Sequence, residues 1–197
     1  MNFDKDLQAI QEMRNAVQRA KEAQEKLMAF SQEKIDSIVE AVAIAAYNHS
    51  KKLAKMAVKE TGMGVVEHKV LKNQVGSMDV FHSIKGEKTI GVIHEDKVNK
   101  VKDIAYPYGV IAAIIPTTNP TSTAMFKTLI ALKAGNGIVV SPHPRAKRCT
   151  VETLKICSKA AVEAGAPEGI IGWITEPSLE ATNQLMKHRD VNLILAT

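Results

Sequence analysis

From Gly109 onward short apolar runs alternate with helical stretches, and this rhythm constrains the fold more than anything else in the chain. Residues 110–115 form a continuous apolar run, followed by a helical stretch over 121–134 that stops at Gly135-Asn136. Residues 138–140 are apolar again, and a long helical stretch over about 146–164 is closed by Gly165 and Pro167. An apolar run at 170–174, a helix over about 178–188 and a last run at 192–196 complete the series. Apolar runs this short, with helices between them, predict βαβ units and a parallel sheet of four strands. Strands of a parallel sheet are buried on both faces, and the last run has no helix after it. The sheet is therefore expected to be incomplete at the C-terminus, and the chain to be the first part of a larger protein.

Before residue 85 the periodicity is helical. Leu7, Ile10, Met13, Val17, Ala20 and Leu27 recur at spacings of three and four, which predicts one apolar stripe on a first helix. Ser31 suits the N-cap of a second helix carrying Ile35, Ile38, Val39 and Val42. A third helix over 50–61 stops at Gly62 and Gly64, residues suited to left-handed caps. A fourth begins near Val65 and carries Val66, Val70, Met78 and Phe81. Two short strands at 88–94 and 101–106, around the turn Glu95-Asp96-Lys97, predict a hairpin too poor in apolar residues to form its own core. The expected organisation is thus α/β: N-terminal helices over 1–85, a hairpin over 86–108, and a Rossmann-like parallel sheet over 109–197.

Composition removes several classes of function. Lys and Arg number 26 against 21 Asp and Glu, a net charge of +5, with no long basic block and only 4% aromatic residues. Nucleic-acid binding has little to build on. The longest purely apolar stretch, 110–115, is far short of the roughly 20 residues that span a bilayer. The N-terminus has no apolar leader, and Asp4, Asp6, Glu12 and Glu22 are unlike a transit peptide. Cys149 and Cys157 fall on one predicted helix, about 12 Å apart at 1.5 Å per residue, whereas a disulfide needs Cα atoms within about 7 Å. A reduced, cytoplasmic protein is expected. The six histidines have no metal-ligand spacing with the cysteines or with one another, so no metal is expected. No Gly-x-Gly-x-x-Gly follows a strand and no phosphate loop is present.

Ligands of open parallel sheets bind at the carboxyl ends of the strands. Those ends read Pro116-Thr117-Thr118-Asn119, Ser141-Pro142-His143-Pro144, Thr175-Glu176-Pro177 and Thr197. Asn119-Pro120 suits an N-cap followed by the first helical position. An Asn amide held at a helix N-terminus is equally a donor to a developing oxyanion, so both readings stand. Arg145, Lys147 and Arg148 crowd the start of the long helix, the wrong end for cations by about 0.3–1 kcal/mol each. Either a phosphate-bearing ligand compensates them or they form a solvated basic face. Cys149 and Cys157, inside that helix, read as small buried hydrophobes and not as nucleophiles.

Longer stretches carry a family resemblance. Tyr106-Pro-Tyr-Gly-Val-Ile-Ala-Ala-Ile-Ile-Pro-Thr-Thr-Asn-Pro-Thr-Ser-Thr-Ala resembles the coenzyme A-acylating branch of the aldehyde dehydrogenase superfamily. So do Ser141-Pro-His-Pro-Arg-Ala-Lys147, Gly165-Ala-Pro-Glu-Gly and Asn192-Leu-Ile-Leu-Ala-Thr197. Glu60-Thr-Gly-Met-Gly64, Trp173-Ile and Glu176-Pro-Ser178 strengthen the likeness, which within that branch points to the N-terminal domain of bifunctional aldehyde–alcohol dehydrogenases.

The resemblance implies an aldehyde dehydrogenase fold and the reaction of an aldehyde, acetaldehyde above all, with CoA and NAD to give acyl-CoA and NADH. It implies that Ile114, Ile115, Pro116, Thr117, Thr118 and Asn119 lie along the NAD, and that Ser141 and His143 flank its adenosine end. Hydrolytic relatives have Lys at the position of Ser141, so adenine-ribose recognition is expected to differ. They also place the oxyanion Asn one position earlier, so either Thr118 or Asn119 holds that place here. The nucleophilic Cys is expected outside this chain, and residues 86–106 resemble an arm through which subunits form a homo-oligomer. The alternative is a truncated, catalytically inactive fragment that binds nucleotide or associates with intact subunits.

Overall fold

A computed structural model describes residues 5–197. Five helices come first: α1 (Lys5–Leu27), α2 (Gln32–Asn48), α3 (Ser50–Thr61), α4 (Val66–Gln74) and α5 (Val80–Ile84). A hairpin follows, β1 (Gly91–Asp96) and β2 (Val101–Ala105). The α/β series is β3 (Val110–Ile114), α6 (Pro120–Lys133), β4 (Gly137–Ser141), α7 (Lys147–Glu163), β5 (Ile171–Trp173), α8 (Leu179–Met186) and β6 (Val191–Leu195).

The four later strands are all parallel and ordered β5-β4-β3-β6. Their alternation sorts side chains onto two faces. Val110, Ala112 and Val139 pack with Met13, Ala16, Val17 and Ala20 of α1 and Ala181 and Leu185 of α8. Ile111, Ala113, Ile138 and Val140 pack on the other face with α2, α6 and α7. The first helix therefore covers one face of a sheet that the chain builds more than 80 residues later. It lies close enough that a Cβ on Gly137 would meet the carbonyl oxygen of Ala20 at 2.9 Å.

Each boundary has a local cause. The Ser31 hydroxyl accepts from the Lys34 N–H and caps α2, as the sequence predicts. Gly62, at φ +69°, closes α3. The predicted fourth helix is instead three segments, because a π-helical turn, Val75–Asp79, separates α4 from α5. Leu7 also departs from the predicted stripe, being 59% exposed. The face that reaches the sheet is made of smaller residues, Ala9, Ala16, Ala20 and Ala23 with Met13, Val17 and Leu27, because the helix backbone lies so near the strands. The hairpin begins later than predicted. The Gln32 Oε1 accepts the N–H groups of Thr89 and Ile90, so those residues are tied to α2 and cannot pair with β2. The turn is also displaced: Glu95 and Asp96 belong to β1 and pair with β2, and the chain reverses over residues 97–100, where the Asp96 carboxylate accepts from the N–H groups of Val98 and Asn99.

The π-helical turn sits against the start of α6. A Cβ on Gly76 would lie 2.8 Å from the backbone oxygen of Ser122, so neither backbone can yield cheaply. We expect Gly76→Ala to destabilise the protein by about 1–3 kcal/mol, as overpacking does, in chemical denaturation followed by circular dichroism.

Candidate functional site at the carboxyl ends of the parallel strands

The chain runs from β3 to β4 and β5 on one side, then returns through α8 to place β6 on the other side of β3. The order reverses between β3 and β6, and such a switch point opens a crevice at the strand ends. One buried side chain spans it. Lys127 of α6 is 1% exposed, and its Nζ donates to the carbonyls of Ile114 at 2.9 Å and Leu195 at 2.7 Å. These are the last residues of the two strands. Burial pushes the Lys127 ammonium down to about 8 from the ordinary 10.5. In the sequence Lys127 is marked only as the single cation of a mostly apolar stretch, Ala124 to Ala131, since a lysine on a helix normally marks a solvated face.

Between β3 and α6 runs the loop Ile115 to Asn119. The Ile115 N–H donates to the carbonyl of Ser141, joining the loop to β4. Thr117 Oγ1 is buried with no hydrogen-bond partner among the described residues. Thr118 is exposed and Asn119 half-buried. Asn119 occupies the N-cap position, but its side chain makes no capping hydrogen bond. Its carbonyl instead accepts the Thr123 N–H at 3.1 Å. Asn119 thus begins the helix through its backbone carbonyl, and its side-chain amide has no hydrogen-bond partner among the described residues.

The Ser141 hydroxyl lies 2.7 Å from Thr182 Oγ1, which itself donates to the Ser178 carbonyl, so Ser141 is the donor of the pair. His143 Nδ1 accepts the Arg145 N–H at 3.1 Å, which leaves Nε2 to carry the proton of the neutral ring. Beside it a hollow of about 630 Å³ is lined by Met56, Lys59, Glu60, Arg145, Lys147 and Arg148 among others. The Glu60 carboxylate accepts the N–H groups of Arg148 at 2.8 Å and Cys149 at 2.7 Å. An acid of α3 thus supplies the negative charge that the start of α7 lacks in its own sequence. Two charge-assisted bonds to the first turn offset the misplaced cations, each of which costs at most about 1 kcal/mol. A phosphate is therefore not required to explain the cluster. Lys147 pairs with Glu176, leaving the guanidinium groups of Arg145 and Arg148 toward the hollow.

Cys149 and Cys157 are both on α7, fully buried and unbridged. Burial raises both thiols to about 12, and for Cys149 the Glu60 carboxylate adds to the rise. Among the described residues no group of three or more His, Cys, Asp or Glu could hold a metal ion, and no helix is long and apolar enough to cross a membrane.

A parallel sheet with helices on both faces, and a loop and basic hollow at its strand ends, defines a Rossmann-like α/β architecture. The sequence pattern of the aldehyde dehydrogenase family matches residues 6–197, and the chain belongs to that family. It is 51% identical over 188 residues to the bifunctional aldehyde-alcohol dehydrogenase of Escherichia coli (strain K12), covering 95% of this chain and 21% of that protein. It is 40% identical to the succinate-semialdehyde dehydrogenase (acetylating) of Clostridium kluyveri, covering 94% of this chain and 40% of that one. An acetylating aldehyde dehydrogenase from Geobacillus thermoglucosidasius superposes with a TM-score of 0.97 at 53% identity, covering 98% of this chain and 43% of that one. The chain thus spans about a fifth of the bifunctional relative and about two-fifths of the other two.

The buried ammonium has a measurable consequence. The unfolded chain holds the Lys127 proton up to about pH 10.5 and the folded chain releases it near 8, so stability contributed by this site rises with pH between those values. We expect the Lys127 side chain, followed by its ¹³Cε or ¹⁵Nζ resonance, to titrate near pH 8, more than two units below exposed lysines.

Proposed function

We propose that this chain forms the nucleotide-binding part of a cytoplasmic, NAD-dependent, CoA-acylating aldehyde dehydrogenase, within a bifunctional aldehyde–alcohol dehydrogenase. The reaction is RCHO + CoASH + NAD⁺ → RCOSCoA + NADH + H⁺, with acetaldehyde as the aldehyde. One observation carries this reading beyond family membership: the uncommitted Asn119 amide at the switch point, next to a loop that also holds the unpaired Thr117 hydroxyl. Bound NAD supplies the hydride acceptor. Ile114 to Asn119 lie along it, and Asn119, or Thr118 beside it, donates to the aldehyde oxygen as negative charge develops there. Ser141 and His143 flank the adenosine end, and the basic hollow beside His143 suits its phosphates. Residues 1–85 and 109–197 together make this nucleotide-binding part.

Neither thiol of the chain fits the attacking role. A nucleophile needs a lowered pKa and access, and Cys149 and Cys157 have neither. The attacking thiolate is therefore assigned to another cysteine, and residues 1–197 alone are inactive. In the full-length enzyme, Cys149→Ser and Cys157→Ser should keep the acylating reaction. Asn119→Ala should lower turnover about a hundred- to a thousandfold, with little change in NAD affinity, as loss of one oxyanion donor does. Steady-state rates of NADH formation from acetaldehyde and CoA check both, and abolished activity in either Cys→Ser variant that still folds overturns the thiol assignment.

The hairpin is proposed as the arm of a homo-oligomer. Its strands are exposed on both faces, with Ile93, Val101 and Ile104 between 47% and 63% accessible, and Val98 in the turn is 89% accessible. Two-stranded hairpins are marginal alone, and open edges invite another chain. Replacing residues 86–106 with a short Gly/Ser linker should lower the mass of the full-length protein in light scattering. An unchanged mass removes the arm from the interface.

A further inference from the structure

Helix α4 carries two buried polar side chains one turn apart, Lys69 and Asn73, which are 5% and 1% exposed. Both reach the start of α6. Lys69 Nζ donates to the carbonyl of Thr118. Asn73 Oδ1 accepts the Thr121 hydroxyl at 2.7 Å, while its Nδ2 donates to the Ser50 carbonyl at 3.0 Å and so anchors it to α3. The two contacts bracket Asn119 and Pro120.

A peptide group is planar, so fixing the direction of its carbonyl fixes its N–H as well. The Thr118 carbonyl belongs to the peptide that joins Thr118 to Asn119. Lys69 thus sets that plane, and the Thr123 N–H on the Asn119 carbonyl sets the next one. The backbone on both sides of Asn119 is held, while its side-chain amide has no hydrogen-bond partner among the described residues. Nothing about packing requires a lysine here. Burying an ammonium is costly, and burial does lower the pKa of Lys69, with the nearby Lys72 adding to the shift. The π-helical turn after α4, pressed onto Ser122 at Gly76, fixes the helix that carries both residues against the loop.

We propose that Lys69 and Asn73 are positioning residues that clamp the Thr118–Asn119 peptide and so aim the oxyanion donor of this site. The proposal rests on the acylating dehydrogenase reading above. Lys69 acts through the peptide and touches no reacting atom.

The test uses the full-length enzyme with acetaldehyde, CoA and NAD. Lys69→Met keeps the length and volume of the side chain and removes the donor. Turnover should fall roughly ten- to a hundredfold, the scale of a small misplacement of a catalytic group, while the KM for NAD stays within about twofold. A double variant, Lys69→Met with Asn119→Ala, should be no more than about twofold slower than Asn119→Ala alone, because a displaced donor and a missing one are the same loss. Thr121→Val releases the second anchor without changing shape, and should show the same split if Lys69→Met fails to give soluble enzyme. Losses that multiply in the double variant overturn the clamp, as does a rise in the KM for NAD that matches the fall in turnover. Wild-type turnover in Asn119→Ala is a different failure: it removes Asn119 as the donor. The same cycle with Thr118→Ala then decides the clamp, since both residues share the peptide that Lys69 holds.

Discussion

A parallel sheet must be covered on both faces, and every other feature of this chain follows from how that is done. The βαβ crossovers put α6 and α7 on one face. The other face is left to α8 and to α1, the first helix of the chain. Residues 9–27 therefore join strands that come much later, a pairing whose entropic cost of loop closure grows only slowly with the length of chain between them. It is favoured because α1 presents alanines and approaches Gly137 and Gly172 at backbone distance. With α1 committed there, α2 to α5 are forced onto the opposite side, and α4 comes to rest over the loop at the end of β3.

Charge inside this fold is handled by backbone as much as by ion pairs. Lys133, with its side chain only 3% exposed, pairs with Asp36 at 2.6 Å and ties α6 to α2. Lys127 and Lys69 have carbonyl partners instead. Carbonyls at the ends of parallel strands and at a strand–helix turn lack ladder partners, and an unmade hydrogen bond in the interior costs about 1–3 kcal/mol. An ammonium with three donors meets two such carbonyls at once. The lysines thus hold together the parts of the backbone that the sheet leaves unfinished, which are also the parts that edge the candidate site.

The sequence made the scaffold readable and left these contacts hidden. Apolar runs near 110, 138 and 171 are visible because a strand buried on both faces has no polar alternation to blur it, whereas β6, near 193, alternates half-buried Val191, Leu193 and Leu195 with exposed Asn192 and Ile194. The caps at Ser31 and Gly62 were visible because their geometry favours few residue types. Lys69, Lys127 and Glu60 were not, because a charged residue on a helix reads the same whether it faces water or a distant carbonyl. Lys127 alone left a trace, a single cation in a stretch, Ala124 to Ala131, with no polar face. The π-helical turn had no signature either, since helical spacing continues across it from Val70 to Met78 and Phe81. Asn119 was legible in its position but not in its bonding; a cap and a free amide look alike until the partners are known.

The state of the two thiols has a consequence for selectivity toward electrophiles. Burial holds both thiols well above the ordinary cysteine range, so near neutral pH both stay protonated. An aldehyde in the proposed site, or the thioester made from it, reacts with whatever sulfur is ionised and within reach. Scaffold sulfurs that stay protonated and enclosed are spared adduct formation and acyl exchange, so covalent chemistry on this fold can be confined to a single sulfur elsewhere without giving up cysteine as a packing residue.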